Sequence, residues 1–201
     1  MGGLTQAIDK KQRAPQGASS LRAHDPALGT AVEFHRQRIE SLLCNMDSRV
    51  AARGLLGHDI VVATLDGPKT ARIMKTRSFN GVGKNEASRK DFEQPGGNLF
   101  LLKLRHVTLL NITTGRQGDA SCVWIEEAKD PETGKMLRNG ELIEFLGLGD
   151  FHGKPVFSKK TAIVPGPEQP AVESLDLKRA SNNTTGIFQA FYPKQSGEAS
   201  G

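Results

Sequence analysis

The spacing of apolar residues divides the chain into segments of different character. Residues 1–24 mix Gly, Gln, Ser, Pro and basic residues without a period, which is typical of an extended arm. From residue 25 to residue 54, apolar residues recur at intervals of three and four, which predicts one long amphipathic helix. Thr30 and Glu33 form a capping box, and this pair predicts that the helix starts near Thr30.

One face of the predicted helix carries a stripe of apolar side chains that needs a surface to pack on. Leu42 and Met46 belong to this stripe. A helix with one apolar face buries it either against its own domain or against a neighbouring molecule. Both residues are therefore candidate partner-binding residues.

Residues 55–164 alternate between apolar and polar side chains with a period of two, in short segments separated by turn-forming sequences. No helical pattern interrupts them, which favours antiparallel over parallel pairing. We therefore expect an α+β fold that is mainly β: an antiparallel β-barrel or sandwich of about six strands, with one N-terminal helix and extended terminal arms. The predicted strands lie within residues 58–65, 69–76, 98–112, 120–128, 136–147 and 154–164.

Residues 165–201 are predicted to form a second extended arm, because three prolines at its start stop any further strand ladder. The segment 186–193 interrupts the polarity of this arm with a cluster of aromatic residues, and such a cluster is rarely left in water. It either folds back onto its own domain or inserts into a neighbouring molecule. Its candidate partner-binding residues are Ile187, Phe188, Phe191 and Tyr192.

Residues 77–97 are predicted to form a long basic loop between two strands. The segment is not a nucleotide P-loop, because Lys84 is followed by Asn85 instead of Ser or Thr. Cations interleaved with aromatic rings are typical of grooves that bind single-stranded nucleic acid, although acidic residues dilute the charge here. The loop therefore contacts either a protein neighbour or a nucleic acid. Its candidate nucleic-acid-binding residues are Arg77, Phe79, Lys84, Arg89 and Lys90.

Motifs for catalysis are missing from the sequence: it has no nucleophile elbow, no paired metal-binding motif and no dinucleotide-binding fingerprint. Asp150 and His152 could position a proton, but they also fit an ordinary turn between two strands. His35, His58 and His106 are interpreted as satisfied structural histidines. We therefore expect no enzyme activity, no catalytic residues, no metal, no cofactor and no small-molecule substrate.

The composition indicates a cytoplasmic protein. The N-terminal residues lack the apolar segment of a signal peptide, and charged residues interrupt the longest apolar run, so neither secretion nor membrane association is expected. Cys44 and Cys122 are far apart, which favours a reducing compartment over a disulfide framework. The net charge of +5 allows an acidic partner without requiring one.

These features together suggest a non-enzymatic structural protein that acts in an assembly. A β-domain, an amphipathic helix, two arms and a long loop would tie neighbouring subunits together, as in virion components such as capsid cement, head-to-tail connector or tail proteins. The expected partners are copies of the same chain and other assembly subunits. The alternative is an oligonucleotide-binding barrel that holds single-stranded DNA or RNA through the basic loop and the arms.

Overall fold

Nine strands form one curled antiparallel sheet, shaped like half a barrel, in a computed structural model that describes residues 26–80, 92–177 and 188–194. Three helices accompany the sheet within these residues. The mainly β, antiparallel character predicted from the sequence is confirmed. The predicted N-terminal arm, residues 1–24, lies outside the described residues.

The helices and strands follow one another from Pro26 to Pro193. The helices are α1 (Pro26–Asn45), α2 (Ser48–Leu55) and α3 (Asn139–Leu146). The strands are β1 (Asp59–Thr64), β2 (Gly67–Phe79), β3 (Leu99–Lys103), β4 (Thr108–Thr114), β5 (Ser121–Lys129), β6 (Met136–Arg138), β7 (Thr161–Val164), β8 (Val172–Leu177) and β9 (Phe188–Pro193).

Strand β2 organises the sheet, because its 13 residues are long enough to hold three neighbours. The main path of the sheet runs β3-β4-β5-β2-β1-β7, while β9 pairs with the end of β2 and β8 pairs with β9. The pairing of β2 with β5 shifts register on both sides of Lys75. Such irregularities bend a strand and increase its twist, which accounts for the curl of the sheet at this point.

The main core lies between the sheet and the helices. Alternate residues of the central strands, such as Ile73 and Ile125, meet Leu43 of α1, Leu55 of α2 and Leu146 of α3, and all five are fully buried. A smaller cluster on the opposite face of the sheet contains Phe92, Phe100, Ala120 and Cys122, with Phe79 and Leu102 against it. The sheet is therefore covered on both faces near its centre.

The prediction of one helix over residues 25–54 is wrong in two respects. The helix is broken after Asn45, because Asp47 adopts an extended conformation and its side chain accepts a hydrogen bond from the Arg49 N–H, which caps α2. The first helix also starts at Pro26, so Thr30 lies inside it and is not its cap. Proline is favoured in the first turn of a helix because it needs no N–H partner there.

Two of the predicted strands are also wrong. Residues 98–112 form the β3–β4 hairpin, in which the Leu104 N–H donates to the Val107 carbonyl at 2.8 Å. Residues 136–147 contain only three residues of strand and then α3, because the backbone turns at Asn139, which has a φ of 48°. Apolar residues of α3 account for the rest of that run: Leu142, Ile143 and Leu146 face the core.

The predicted basic loop, residues 77–97, is a loop only in part. Its first residues belong to β2, and residues 81–91 lie outside the described residues. Its last part packs tightly: Phe92 is buried, and the Gly97 N–H donates to the Thr113 carbonyl at 2.8 Å. At Gly96 an added Cβ would lie 2.2 Å from the Leu43 carbonyl oxygen, so this end of the segment is part of the folded domain.

Residues 165–201 are not simply an extended arm, because two of the nine strands lie within them. The prolines end the ladder after β7, as predicted, but β8 starts two residues after Pro170. It forms a hairpin with β9, and β9 joins the sheet beside β2. Composition alone does not predict this, since β9 pairs with β2, which lies far earlier in the chain.

Candidate interaction surfaces

The described part of the aromatic segment 186–193, from residue 188 onward, folds back onto its own domain. Phe191 is 5% exposed, belongs to the main core and lies opposite Thr76 of β2. Tyr192 is half-buried beside it. Phe191 is therefore a core residue of its own domain, which is the first of the two predicted alternatives. Phe188 lies in β9, although its side chain is outside the description, as is the whole of Ile187.

Arg77 and Phe79 lie on the outer face of the sheet, and both contact Trp124 of β5. The Arg77 guanidinium lies 4.9 Å from the centre of the Trp124 ring and donates two hydrogen bonds to Glu126, of 2.5 and 2.7 Å. The Phe79 ring is 6.4 Å from the same indole. The cation and the aromatic rings thus contact one another.

The charge of this cluster is balanced within the chain. Lys75 Nζ lies 3.4 Å from Glu126, in addition to the contacts from Arg77. Burial alone would raise the pKa of Glu126, but hydrogen bonding and the charges of Arg77 and Lys75 lower it overall. Because the Arg77 guanidinium is already paired with a carboxylate and stacked on a ring, it has few donors available to bind a phosphate or a base. The other candidate nucleic-acid-binding residues, Lys84, Arg89 and Lys90, lie outside the described residues.

Helix α1 packs against the domain through its C-terminal half, whereas residues 31–34 of the helix are exposed. Ile39 and Leu43 are 2% and 0% exposed, whereas Val32 is 65% and Phe34 is 68% exposed. Val32 precedes Ile39 by seven residues and so continues the same helical face beyond the edge of the domain. Phe34 projects from a different side of the helix. The first turns of α1 therefore present apolar side chains on more than one side.

The two helix residues predicted to contact partners have different surroundings. Leu42 is half-buried and packs against the main core beside Gly54 of α2, where an added Cβ would lie 2.7 Å from its Cδ2 atom. Met46 is 44% exposed at the break between α1 and α2. The sequence pattern missed Val32 and Phe34, because a stripe indicates which face is apolar but not where along the helix the domain ends.

His35 and His58 form a stacked pair that connects α1 to the start of β1. Their ring centres are 5.3 Å apart with an angle of 21° between the planes. His35 Nε2 and His58 Nδ1 are buried without a hydrogen-bond partner among the described residues. One nitrogen of each ring thus departs from the interpretation of these two as satisfied structural histidines, whereas His58 also has hydrogen bonds to the backbone of Leu55 and Leu56. Nearly parallel rings cannot direct two nitrogen lone pairs at one ion, so the pair does not form a chelating metal site.

The surroundings of this pair keep both imidazoles neutral. Burial lowers the pKa of both rings; the charge of Arg38 lowers the pKa of His35 further, and His35 itself lowers that of His58. Asp59, the acidic neighbour in β1, is engaged by Arg72 at 2.9 and 3.1 Å. Protonation of either ring thus places a charge beside the other ring and near Arg38, and for His58 it does so in a buried site.

We expect the domain to lose stability as the pH falls below about 6.5, the ordinary pKa of histidine. The unfolded chain takes up protons first because its histidines keep their ordinary pKa, so stability is full above that pH and declines toward the lowered pKa of the folded state. Urea unfolding at pH 7.5 and pH 5.5 measures this difference. The double variant His35→Asn/His58→Asn should reduce it, whereas His106→Asn, at an exposed turn, should not. An unchanged difference in the double variant would assign the effect to other groups.

Among the described residues, no hydrogen bond joins Asp150 to His152. His152 Nδ1 accepts a hydrogen bond from the Leu101 N–H at 3.2 Å, and its ring lies 4.7 Å from that of Phe100. Asp150 is exposed in the turn that precedes it. His152 thus accepts a hydrogen bond from the backbone of the edge strand β3, in agreement with the interpretation of this segment as a turn. Within the described residues, no three His, Cys, Asp or Glu side chains are grouped to hold a metal ion.

Comparison with known protein families and with curated proteins finds no match for this chain. In the described ranges, no helix combines the length and the apolar character that crossing a lipid bilayer requires. Any function must therefore be inferred from the surfaces of the protein.

Proposed function

We propose that the protein is a non-enzymatic assembly subunit that associates with copies of itself and with other subunits through the free end of α1. The observation that carries this proposal is the exposure of Val32 and Phe34, at 65% and 68%, on turns of the helix that extend past the domain. Large apolar side chains grouped on an exposed element are typical of protein–protein contacts.

The position of these residues favours contacts with more than one neighbour. Val32 and Phe34 are two residues apart, so their side chains project from opposite sides of the helix. A subunit that packs against one side leaves the other side available. Two different contact surfaces on one chain are the requirement for assemblies larger than a dimer.

The charge balance around Arg77 supports a protein partner over a nucleic acid. Arg77 and Lys75 both contact Glu126, and Arg138 contacts Glu127 at 3.1 Å. This face of the sheet thus offers paired charges, whereas nucleic-acid binding depends on cations that are free to replace counterions.

A finer form of the proposal places the protein in a virion, as a capsid cement, head-to-tail connector or tail subunit. In this form of the proposal, the protein is made in the cytoplasm and is incorporated in a virion or another large assembly. The support for this form is architectural: a mainly β domain that follows the polar segment 1–24 in the sequence.

We expect the full-length protein to self-associate and the variant Phe34→Ser to weaken that association at least tenfold, which corresponds to about 1.4 kcal/mol. Burial of a phenylalanine side chain contributes about 1.5 to 3 kcal/mol, so the loss of this contact is large enough to weaken association tenfold. Val32→Ser should act in the same direction. Size-exclusion chromatography with light scattering over a range of concentrations measures the effect.

A matched control is Leu65→Ser, which changes a fully exposed leucine at the tip of the β1–β2 hairpin and should leave association unchanged. The same measurement with added single-stranded DNA tests the alternative function. A wild-type protein that stays monomeric at every concentration, or that binds DNA with a steep dependence on salt, would contradict the proposal.

A further inference from the structure

The edges of the sheet are protected to different degrees. The outer edge of β3 is closed by the segment that follows α3: the Gly153 N–H donates to the Leu99 carbonyl at 2.7 Å, and the Leu99 N–H donates to the Lys154 carbonyl at 2.8 Å. His152 Nδ1 accepts a hydrogen bond from the Leu101 N–H. This edge therefore has few backbone groups left for an added strand.

The edges at β6 and β7 are short, with three and four residues. A short edge offers too few backbone groups to hold another chain, and proteins commonly protect sheet edges in this way. Strand β8 differs from both, because its six residues pair with β9 along their whole length and with no second strand among the described residues.

Strand β8 carries two acidic residues, Glu173 and Asp176, but lacks other features that usually block an edge. It contains no proline and no lysine, and its register with β9 runs from Val172 to Leu177 without a bulge. Leu175 is 52% exposed, and Glu173 is exposed on the same face, two residues away. The outward-facing N–H and C=O groups of β8 thus form a regular template for an additional strand.

The charge of this edge identifies the kind of strand that fits. Residues 166–177 contain Glu168, Glu173 and Asp176 and no cation, in a chain whose net charge is +5. Like charges placed opposite each other destabilise a strand pair, so two copies of β8 would oppose one another. Lysine or arginine on the incoming strand would instead complement these acids.

We propose that the outer edge of β8 binds an extended, basic segment of a partner protein as an additional antiparallel strand. Backbone hydrogen bonds hold the segment, a cation meets Glu173, and an apolar side chain packs on Leu175. This surface is separate from the free end of α1, so the inference goes beyond the proposed function and does not depend on it.

The probe for this surface is a labelled, capped peptide of sequence Lys-Lys-Val-Val-Lys-Lys-Val-Val. As a strand it presents lysine and valine alternately on both faces, which matches the alternation of Glu173 and Leu175. We expect it to bind the full-length protein and to slow amide exchange in residues 172–177. The control peptide, with glutamate in place of lysine, should bind at least tenfold more weakly.

Proline substitutions test the edge itself. Consecutive residues of a strand direct their N–H groups to opposite edges. One of the two variants Ser174→Pro and Leu175→Pro therefore interrupts the hydrogen bonds to β9. The other removes an N–H donor from the open edge of β8. The variant that keeps the wild-type thermal transition should bind the lysine peptide at least tenfold more weakly. Phe34→Ser should bind it normally.

Four results would overturn the inference. These are absence of peptide binding, equal binding of the glutamate peptide, protection of amides elsewhere than β8, and normal binding by the open-edge proline variant. Loss of self-association in that variant would instead identify a second copy of β8 as the occupant. The amide-exchange measurement on the wild-type protein decides the question even where both proline variants unfold.

Discussion

Phe191→Ala should lower the free energy of unfolding by about 3 to 5 kcal/mol, which is the usual cost of removing a buried phenylalanine side chain. Phe191 is 5% exposed within the main core, although it lies near the end of the chain. Strand β9 is attached to β2 at three positions, Thr76, Arg77 and Ser78. Thr76 also donates to the Ala52 carbonyl of α2 at 2.9 Å, so β9, β2 and α2 meet at this point.

The loss should extend beyond the mutated side chain. Strand β8 reaches the sheet through β9, and a cavity under Phe191 weakens the attachment of the whole hairpin. Urea unfolding followed by circular dichroism measures the free energy, and Leu175→Ala in the exposed part of β8 is the matched control. We expect the control to change stability by less than about 0.5 kcal/mol. A loss below about 1 kcal/mol for Phe191→Ala would place the ring outside the core.

The sequence predicted those features of the fold that depend on local periodicity. The apolar spacing of α1 and the alternation in β1, β2 and β5 are properties of neighbouring residues, and the elements lie where the pattern indicates. The break between α1 and α2 was missed because apolar residues keep their helical spacing through Met46 and Val50. A single side chain, Asp47, decides that a new helix starts there.

Turns without glycine or proline were missed for a similar reason. The β3–β4 hairpin turns through Arg105 and His106, whose side chains fit an exposed strand as well as a turn, so the alternation continues across it. In residues 136–147, a helix of eight residues follows a strand of three residues, and both contain apolar residues. Periodicity cannot separate them over so few residues.

The candidate surfaces were the least predictable part, because they depend on contacts between distant residues. Arg77 and Glu126 are 49 positions apart, and their pairing follows from the register of β2 with β5. Whether Arg77 is available to a phosphate depends on this register. The exposure of Val32 likewise depends on where the domain ends beside α1, which the residues of the helix do not encode.

Gly166→Ala should destabilise the domain by about 3 kcal/mol, at the upper end of the usual cost of forcing an extra methyl group into a packed site. An added Cβ at Gly166 would lie 1.9 Å from the carbonyl oxygen of Gly57. The obstacle is backbone and not a mobile side chain, so one of the two segments must move.

Gly57 itself is fixed from several directions, which makes such a movement costly. Its N–H donates to the Ile73 carbonyl at 2.9 Å, and its φ of 77° lies in the left-handed region. A Cβ added at Gly57 would lie 2.5 Å from Pro170 Cδ. The two glycines thus hold the segment after β7 directly against the junction between α2 and β1.

Thermal and urea unfolding of Gly166→Ala measure the loss, with Gly149→Ala as the matched control, because a Cβ there meets nothing within 4 Å. The double variant Gly57→Ala/Gly166→Ala adds a second test. Once one substitution has separated the segments, the other meets less resistance, so the combined loss should be smaller than the sum of the single losses. Wild-type stability in Gly166→Ala would mean that the segment after β7 is not held against Gly57. In that case the path that leads the chain from β7 toward β8 would differ from the one described.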